Sequence, residues 1–220
     1  MLRLFDDLAG MISMGLRAKI KKRVICISGM AGTGKSTLSK KLAQRYKLNY
    51  YSGGDALREL AAEEGYDSSR AGWWESREGL RFLDRRKQDP SFDKAVDEKL
   101  LAHAAEGNVL LDSWTMPWLI KDCFKIWLEA SVQKRAERIS LRDNMTVEEA
   151  LEALKEKEAQ TKSIYQKLYG FSLGEDFAPF DLVLDTDNLG ADEVFEVLCM
   201  VFDKVVFAES EESTDTLICQ

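Results

Sequence analysis

Eight consecutive residues, Gly29-Met30-Ala31-Gly32-Thr33-Gly34-Lys35-Ser36, match the pattern G-x-x-x-x-G-K-[ST]. Glycines in such a loop admit torsions and close backbone approaches that a side chain would block. Successive N–H groups can then line a concave anion nest at a helix N-terminus. Lys35 is spaced to reach the β- and γ-phosphates of a nucleotide, the Ser36 hydroxyl to ligate Mg²⁺, and Thr37 to extend the same first turn. This chemistry needs a strand before the loop and a helix after it. Val24 to Ser28 is a β-rich apolar run that halts at Gly29, and Lys35 to Tyr46 places Leu38, Leu42 and Ala43 at helical spacing. The loop is therefore read as a site for ATP or GTP built from Gly29, Met30, Ala31, Gly32, Thr33, Gly34, Lys35, Ser36 and Thr37.

The elements that must hold the loop alternate along the chain. Strands are expected at Val24–Ser28, Leu48–Tyr51, Asn108–Asp112, Phe124–Glu129 and Asp181–Asp185. Helices are expected at Lys35–Tyr46, Asp55–Glu64, within 66–107, and at Val132–Leu141, Val147–Leu168 and Ala191–Val206. A loop carrying Pro117 separates two of the strands. Alternating βα units imply an α/β fold with a parallel sheet covered by helices on both faces. Residues 1–23 form an extension whose apolar positions precede a basic cluster from Arg17 to Arg23, and 207–220 form an acidic tail with the composition of a disordered segment.

Composition narrows the function. The 220 residues carry 45% hydrophobic and 31% charged side chains and a formal charge of −7, ordinary for one compact globular domain. That acidity disfavours general nucleic-acid binding, which uses broad basic surfaces, and leaves only a weak hint in the basic 17–23 segment. No run is long and apolar enough for a membrane span, and Asp6 and Asp7 interrupt any signal-peptide pattern; a cytoplasmic location is expected. Cys26, Cys123, Cys199 and Cys219 show no C-x-x-C pair and are read as reduced thiols. His103 is the only histidine, which nearly excludes a histidine base or a multi-histidine metal site; it is read as a solvated helical residue.

The second substrate must be read elsewhere. Ser52-Gly53-Gly54-Asp55-Ala56-Leu57-Arg58 follows the second strand and resembles the T-G-D-M-L-R segment of adenylate kinases, in which the arginine holds the acceptor's phosphate. A guanidinium suits that role because its rigid fork makes two charge-assisted hydrogen bonds. Further along, Asp89-Pro90-Ser91-Phe92-Asp93, Asn108-Val109-Leu110-Leu111-Asp112, Arg135-Ala136-Glu137-Arg138-Ile139, Val147-Glu148-Glu149-Ala150-Leu151, Tyr169-Gly170 and Asp181-Leu182-Val183-Leu184-Asp185-Thr186 are similar to the corresponding stretches of archaeal-type cytidylate kinases. The similarity spans roughly residues 24 to 198.

That resemblance implies a P-loop kinase fold over 24–206 with a five-stranded parallel sheet, a mobile helical acceptor-binding region at 51–106 and a lid at 139–163. It implies transfer of the γ-phosphoryl group of ATP, with Mg²⁺, to CMP or dCMP; a monomer is expected. Lys35, Arg135 and Arg142 would be catalytic, the two arginines, with Arg138 between them along one helical face, being lid arginines that neutralise charge on the transferring group. Ser52, Gly54, Asp55 and Arg58 would bind the acceptor, and Arg81, Arg85 and Arg86 are candidates to supplement Arg58 at its phosphate. Asp112 would join Ser36 at the metal by orienting a bound water. Kinases for AMP or UMP, and a nucleotide-binding regulatory protein with little turnover, are the alternatives.

The chain also departs from the pattern. Ser113-Trp114-Thr115 stands where an arginine that contacts the monophosphate is common. Lys155 and Lys157 replace lid-helix arginines, and Ile164 another basic position; lysine offers a point charge where arginine offers a fork. Trp73, Trp74, Trp114 and Trp118 are either a stacking surface for a base or core. Trp114 in particular is expected beside the acceptor.

Overall fold

A computed structural model describes residues 23–69 and 72–207. The expectations for the extension and for the tail fall almost wholly outside these residues. The elements are β1 (Val24–Ser28), α1 (Lys35–Tyr46), β2 (Asn49–Ser52), α2 (Gly53–Glu63), a 3₁₀ turn (Trp73–Glu75), α3 (Arg77–Gln88), α4 (Ser91–Glu106) and β3 (Val109–Asp112). There follow α5 (Met116–Leu119), β4 (Phe124–Glu129), α6 (Val132–Asp143), α7 (Val147–Tyr169), β5 (Leu182–Asp185) and α8 (Ala191–Val201).

The five strands are parallel, in the order β2-β3-β1-β4-β5. Side chains alternate across a strand, so β1 sends Ile25 and Ile27 to one face and Val24 and Cys26 to the other. The first face packs with Leu38 and Leu42 of α1 and with Val194 and Leu198 of α8. The second packs with Leu57 and Ala61 of α2, Val96 and Leu100 of α4, and Phe82 and Trp73. Both faces of the central strands are therefore apolar, as a parallel sheet requires.

Helix boundaries have local causes. Ser52 caps α2 by accepting from the Asp55 amide at 3.1 Å. Thr146 and Glu149 form a capping box that starts α7 just past Asn144, whose left-handed backbone ends α6. The expected lid, 139–163, thus covers the end of α6, this turn and most of α7.

Three details differ from expectation. The segment holding Pro117 forms the short helix α5, with Pro117 in its first turn, where a missing N–H costs nothing. The last helix is α-helical only to Val201; Phe202–Val206 widens into a π turn closed by the Phe207 amide on the Phe202 carbonyl at 2.8 Å. Packing explains this, because Phe202 and Phe207 both lie against Tyr46. His103 is not a freely solvated residue: its ring stacks on Tyr51 with centroids 3.5 Å apart. Among the described residues, no helix is long and apolar enough to cross a membrane.

Candidate active site

The parallel register brings Ser52, Asp112 and Ile27 to one level on adjacent strands, so the loops leaving β1, β2 and β3 open on the same edge. Ligands of open parallel sheets bind outside these carboxyl ends. A cavity of about 980 Å³ occupies this edge, lined by the phosphate loop, the start of α2, parts of α4, α6 and α7, and the segment after β5.

Within the loop, Ala31, Gly32, Thr33, Gly34, Lys35, Ser36 and Thr37 face the cavity. Gly29 and Met30 form its base. Gly29 has φ +150°, and a Cβ there would lie 2.5 Å from the Leu128 carbonyl oxygen. Gly32 has φ +85°, and a Cβ there would lie 2.8 Å from the Arg135 carbonyl oxygen. The glycines are thus needed both for torsion and for the close approach of β4 and α6. Met30 is buried beside Trp127, Tyr165 and Leu173.

The Ser36 hydroxyl donates to Asp112 at 2.5 Å, and Tyr50 donates to the same carboxylate oxygen at 3.2 Å. Asp112 is buried but opens on the cavity. A hydroxyl and a carboxylate side by side are hard oxygen donors of the type that Mg²⁺ accepts, and that ion characteristically takes one or two protein oxygens and completes its shell with phosphates and water. The pair fits such an ion.

On the acceptor side, Ser52, Gly54, Asp55 and Arg58 all line the cavity. Arg58 Nε is buried without a hydrogen-bond partner. Arg81 and Arg85 do not line it: both are exposed, and Arg85 pairs with Glu64 while lying over Phe92. Of the three α3 arginines, Arg86 is the one on the face that turns inward and lines the cavity. Its guanidinium is buried and forked onto Asp93 at 2.5 and 3.2 Å, with Tyr165 Oη at 3.5 Å. Burial works against that charge, but Asp93 more than restores it, and the net direction is upward.

Asp97, one turn along α4 from Asp93, accepts from Thr115 and from Tyr169, each at 2.5 Å. Burial pushes its carboxyl up to about 6, against the pull of those two donors. Trp74 and Lys157 complete this side, the ammonium 5.3 Å from the indole centroid. Lys155 is exposed, and Ile164 is buried in the core.

The α6 arginines separate. Arg142 lines the cavity at its exposed rim and is forked onto Asp143. Arg138 lines it beside Thr186, to whose carbonyl and hydroxyl it donates at 2.7 and 3.1 Å. Arg135 does not line it: the guanidinium is buried, donating to the Ala130 and Ala31 carbonyls and to Glu158. In this arrangement Arg135 braces the phosphate loop against α7 rather than facing a ligand.

Of the tryptophans, Trp74 and Trp114 reach the cavity, while Trp73 is core and Trp118 stacks on Phe171 away from it. Sequence reasoning missed Asp93, Asp97 and the loop Thr186–Gly190 as cavity walls. Asp93 and Asp97 carried a usable signal, since two acids four apart on the same face as Val96 and Leu100 must be buried with partners.

Comparisons with known proteins agree with this architecture. A model of the cytidylate kinase-like family matches residues 24–188. The chain is 33% identical over 183 residues to the cytidylate kinase of Pyrococcus horikoshii, covering 83% of this chain and 89% of that protein. It is 32% identical to that of Methanocaldococcus jannaschii, with 83% and 98% covered, and 34% identical to that of Sulfurisphaera tokodaii, with 80% and 92% covered. Among solved structures, the shikimate kinase of Bacteroides thetaiotaomicron has a similar fold, with a TM-score of 0.51 at 13% identity, covering 83% of this chain and 97% of that one. That of Acinetobacter baumannii, in complex with shikimate, gives 0.50 at 14%, with 87% and 98% covered. On the family match and the identity to these relatives, the chain belongs to the cytidylate kinase-like family.

Proposed function

We propose that the protein transfers the γ-phosphoryl group of ATP to CMP or dCMP, giving ADP and the pyrimidine nucleoside diphosphate. The observation that carries this reading is a single cavity with the phosphate loop on one flank and, on another, Arg58 with an unused donor beside a buried set of Arg86, Asp93 and Asp97. Family membership and the names of the relatives support the same reaction.

In the reaction, an oxygen of the acceptor's phosphate attacks the γ-phosphorus of ATP, and the bond from that phosphorus to the bridging oxygen of ADP breaks. The nucleophile is already anionic, so no side chain must remove a proton. The loop amides and Lys35 hold the donor phosphates, and Arg58 fixes the acceptor phosphate in line. Arg142 supplies charge from the rim when the 139–163 lid closes over the 51–106 acceptor region and excludes water. Mg²⁺, held through Ser36 and Asp112, would neutralise charge shared by the β- and γ-phosphates. Arg138 and the Thr186–Gly190 loop form the wall for the ATP base.

At the acceptor base, Asp97 is suited to cytosine. Its carboxylate can accept from an exocyclic amine, whereas uracil presents a carbonyl oxygen at the same position and would leave a buried acceptor facing another. Incubation with ATP, Mg²⁺ and each of CMP, dCMP, UMP and AMP tests the assignment. CMP or dCMP should give diphosphate fastest; faster turnover of UMP or AMP, or ATP binding with no transfer, would reject it.

A further inference from the structure

Trp114 lines the cavity and also spans the phosphate loop. Its indole Nε1 donates to the Gly29 carbonyl at 2.6 Å, and its ring faces the Lys35 ammonium at 5.4 Å from the centroid. The ring is fixed from behind by Tyr165, at 6.4 Å and nearly perpendicular, and by contacts with both the Met30 and the Ala31–Ile139 apolar clusters. Gly29 is itself held from the opposite side by β4, where even a Cβ would meet the Leu128 carbonyl.

We propose that Trp114 is a positioning residue for the donor site: it sets the base of the phosphate loop through Gly29 and keeps the Lys35 ammonium against its face in the free and the ATP-bound protein alike, directed at the phosphates. Two properties of an indole are needed together. The N–H is a donor only, which suits a backbone carbonyl, and the electron-rich face attracts a cation without neutralising it. A carboxylate would neutralise the ammonium that the phosphates need, and an arginine would repel it. This explains how a chain with Ser113-Trp114-Thr115 in place of a basic segment keeps a working loop. The acceptor phosphate is left to Arg58, already placed with a free Nε.

The inference rests on the proposed reaction only for the choice of acceptor, so the primary measurement is ATP binding, which needs no transfer. Trp114→Leu removes both the donor and the face, and Trp114→Phe keeps a face but loses the donor. ATP affinity by calorimetry should fall about tenfold in Trp114→Leu, the effect of losing a partly desolvated cation–π contact, and by about threefold in Trp114→Phe. KM for CMP should stay within about twofold in both. In a Lys35→Ala background, most of the Trp114→Leu loss should vanish, because the two residues act as a pair. Tryptophan emission should change when ATP phosphate comes up to the ammonium that lies against the ring, and Trp114→Phe should lose that change.

A rise confined to the KM for CMP would assign Trp114 to the acceptor and overturn the proposal. So would a lowered melting temperature with unaltered ATP affinity, or losses that add in the double variant. If Trp114→Leu does not fold, Trp114→Phe and the emission change decide the matter alone: normal ATP affinity with the emission change retained overturns it. Absence of CMP phosphorylation by the wild-type protein would reject the proposed function while leaving the ATP-binding result to stand or fall independently.

Discussion

Replacement of Asp97 by asparagine separates recognition of the acceptor base from every other part of the site. Each Asp97 oxygen accepts one hydroxyl, Thr115 at one and Tyr169 at the other. A carboxylate offers about four lone-pair sites, so acceptor capacity remains toward the cavity. An amine hydrogen of cytosine placed there makes a hydrogen bond to a charged group, with a net value of about 1.5–3 kcal/mol. Uracil cannot make it. Asp97→Asn should therefore lower the ratio of kcat/KM for CMP over UMP by roughly ten- to a hundredfold. The two neighbouring hydroxyls can rotate to suit an amide, so the fold should survive. The measurement is coupled-assay kinetics for both nucleotides at pH 7.5; an unchanged ratio in a folded variant would refute the role of Asp97.

Its pH dependence gives an independent check. The Asp97 carboxyl is pushed up to about 6 from an ordinary 3.8, so the folded state holds this proton more tightly than the unfolded chain does. Stability from this group is therefore greatest below about pH 4 and is lost as pH rises to about 6, a decline of about 3 kcal/mol. Asp97→Asn should remove that slope, which denaturant titrations from pH 4.5 to 7.5 would show. The wild-type preference for CMP should also weaken as pH falls through 6. Titration of the substrate phosphates cancels in the ratio of CMP to UMP.

Lys35→Ala should cut kcat by roughly a hundredfold or more, because it removes charge from a site where water is scarce; near-normal turnover in the folded variant would end the assignment of the loop. Arg58→Ala should raise KM for CMP by roughly ten- to a hundredfold while ATP affinity by calorimetry stays within about twofold, and equal losses for both substrates would remove Arg58 from the acceptor site. Gly32→Ala places a Cβ 2.8 Å from the Arg135 carbonyl at a φ of +85°, and should cost about 1–3 kcal/mol in urea titration and abolish ATP binding; stability and binding like wild type would mean that α6 is not pressed on the loop.

The phosphate loop was legible because its chemistry is local: glycine torsions, a lysine and a hydroxyl within eight residues, between a strand and a helix. Strand and helix periods likewise exposed the α/β order, and the structure shifts most boundaries by only one or two residues. Helical phase was harder. Arg81, Arg85 and Arg86 lie on one helix, but only the burial of Phe82 and Leu83 decides that Arg86 turns inward and Arg85 outward. Arg135 and Arg142 share a helix too, yet Glu158 of another element claims the first. Which partner takes a long cation depends on tertiary packing that spacing does not contain. The contacts of Trp114 with Gly29 and Lys35 were not legible for the same reason, since those partners come from another loop.

The distribution of charge makes the chemistry consistent with a chain of formal charge −7. An acidic surface repels nucleotides in general, so binding must come from a local reversal of sign. The cavity supplies it with Lys35, Arg58, Arg86, Lys134, Arg138, Arg142 and Lys157 along its walls. Part of that charge is already paired: Asp93 holds Arg86, and Asp143 holds Arg142. Those pairings fix the guanidiniums in place before a substrate arrives, which reduces the ordering that binding requires. In the proposed reaction the group with an unused buried donor, Arg58, would hold the acceptor's monophosphate in line. Phosphoryl transfer between two anions needs this division, with preset cations at the transferring group and an uncommitted one for the nucleophile, and it leaves nothing for a general base to do.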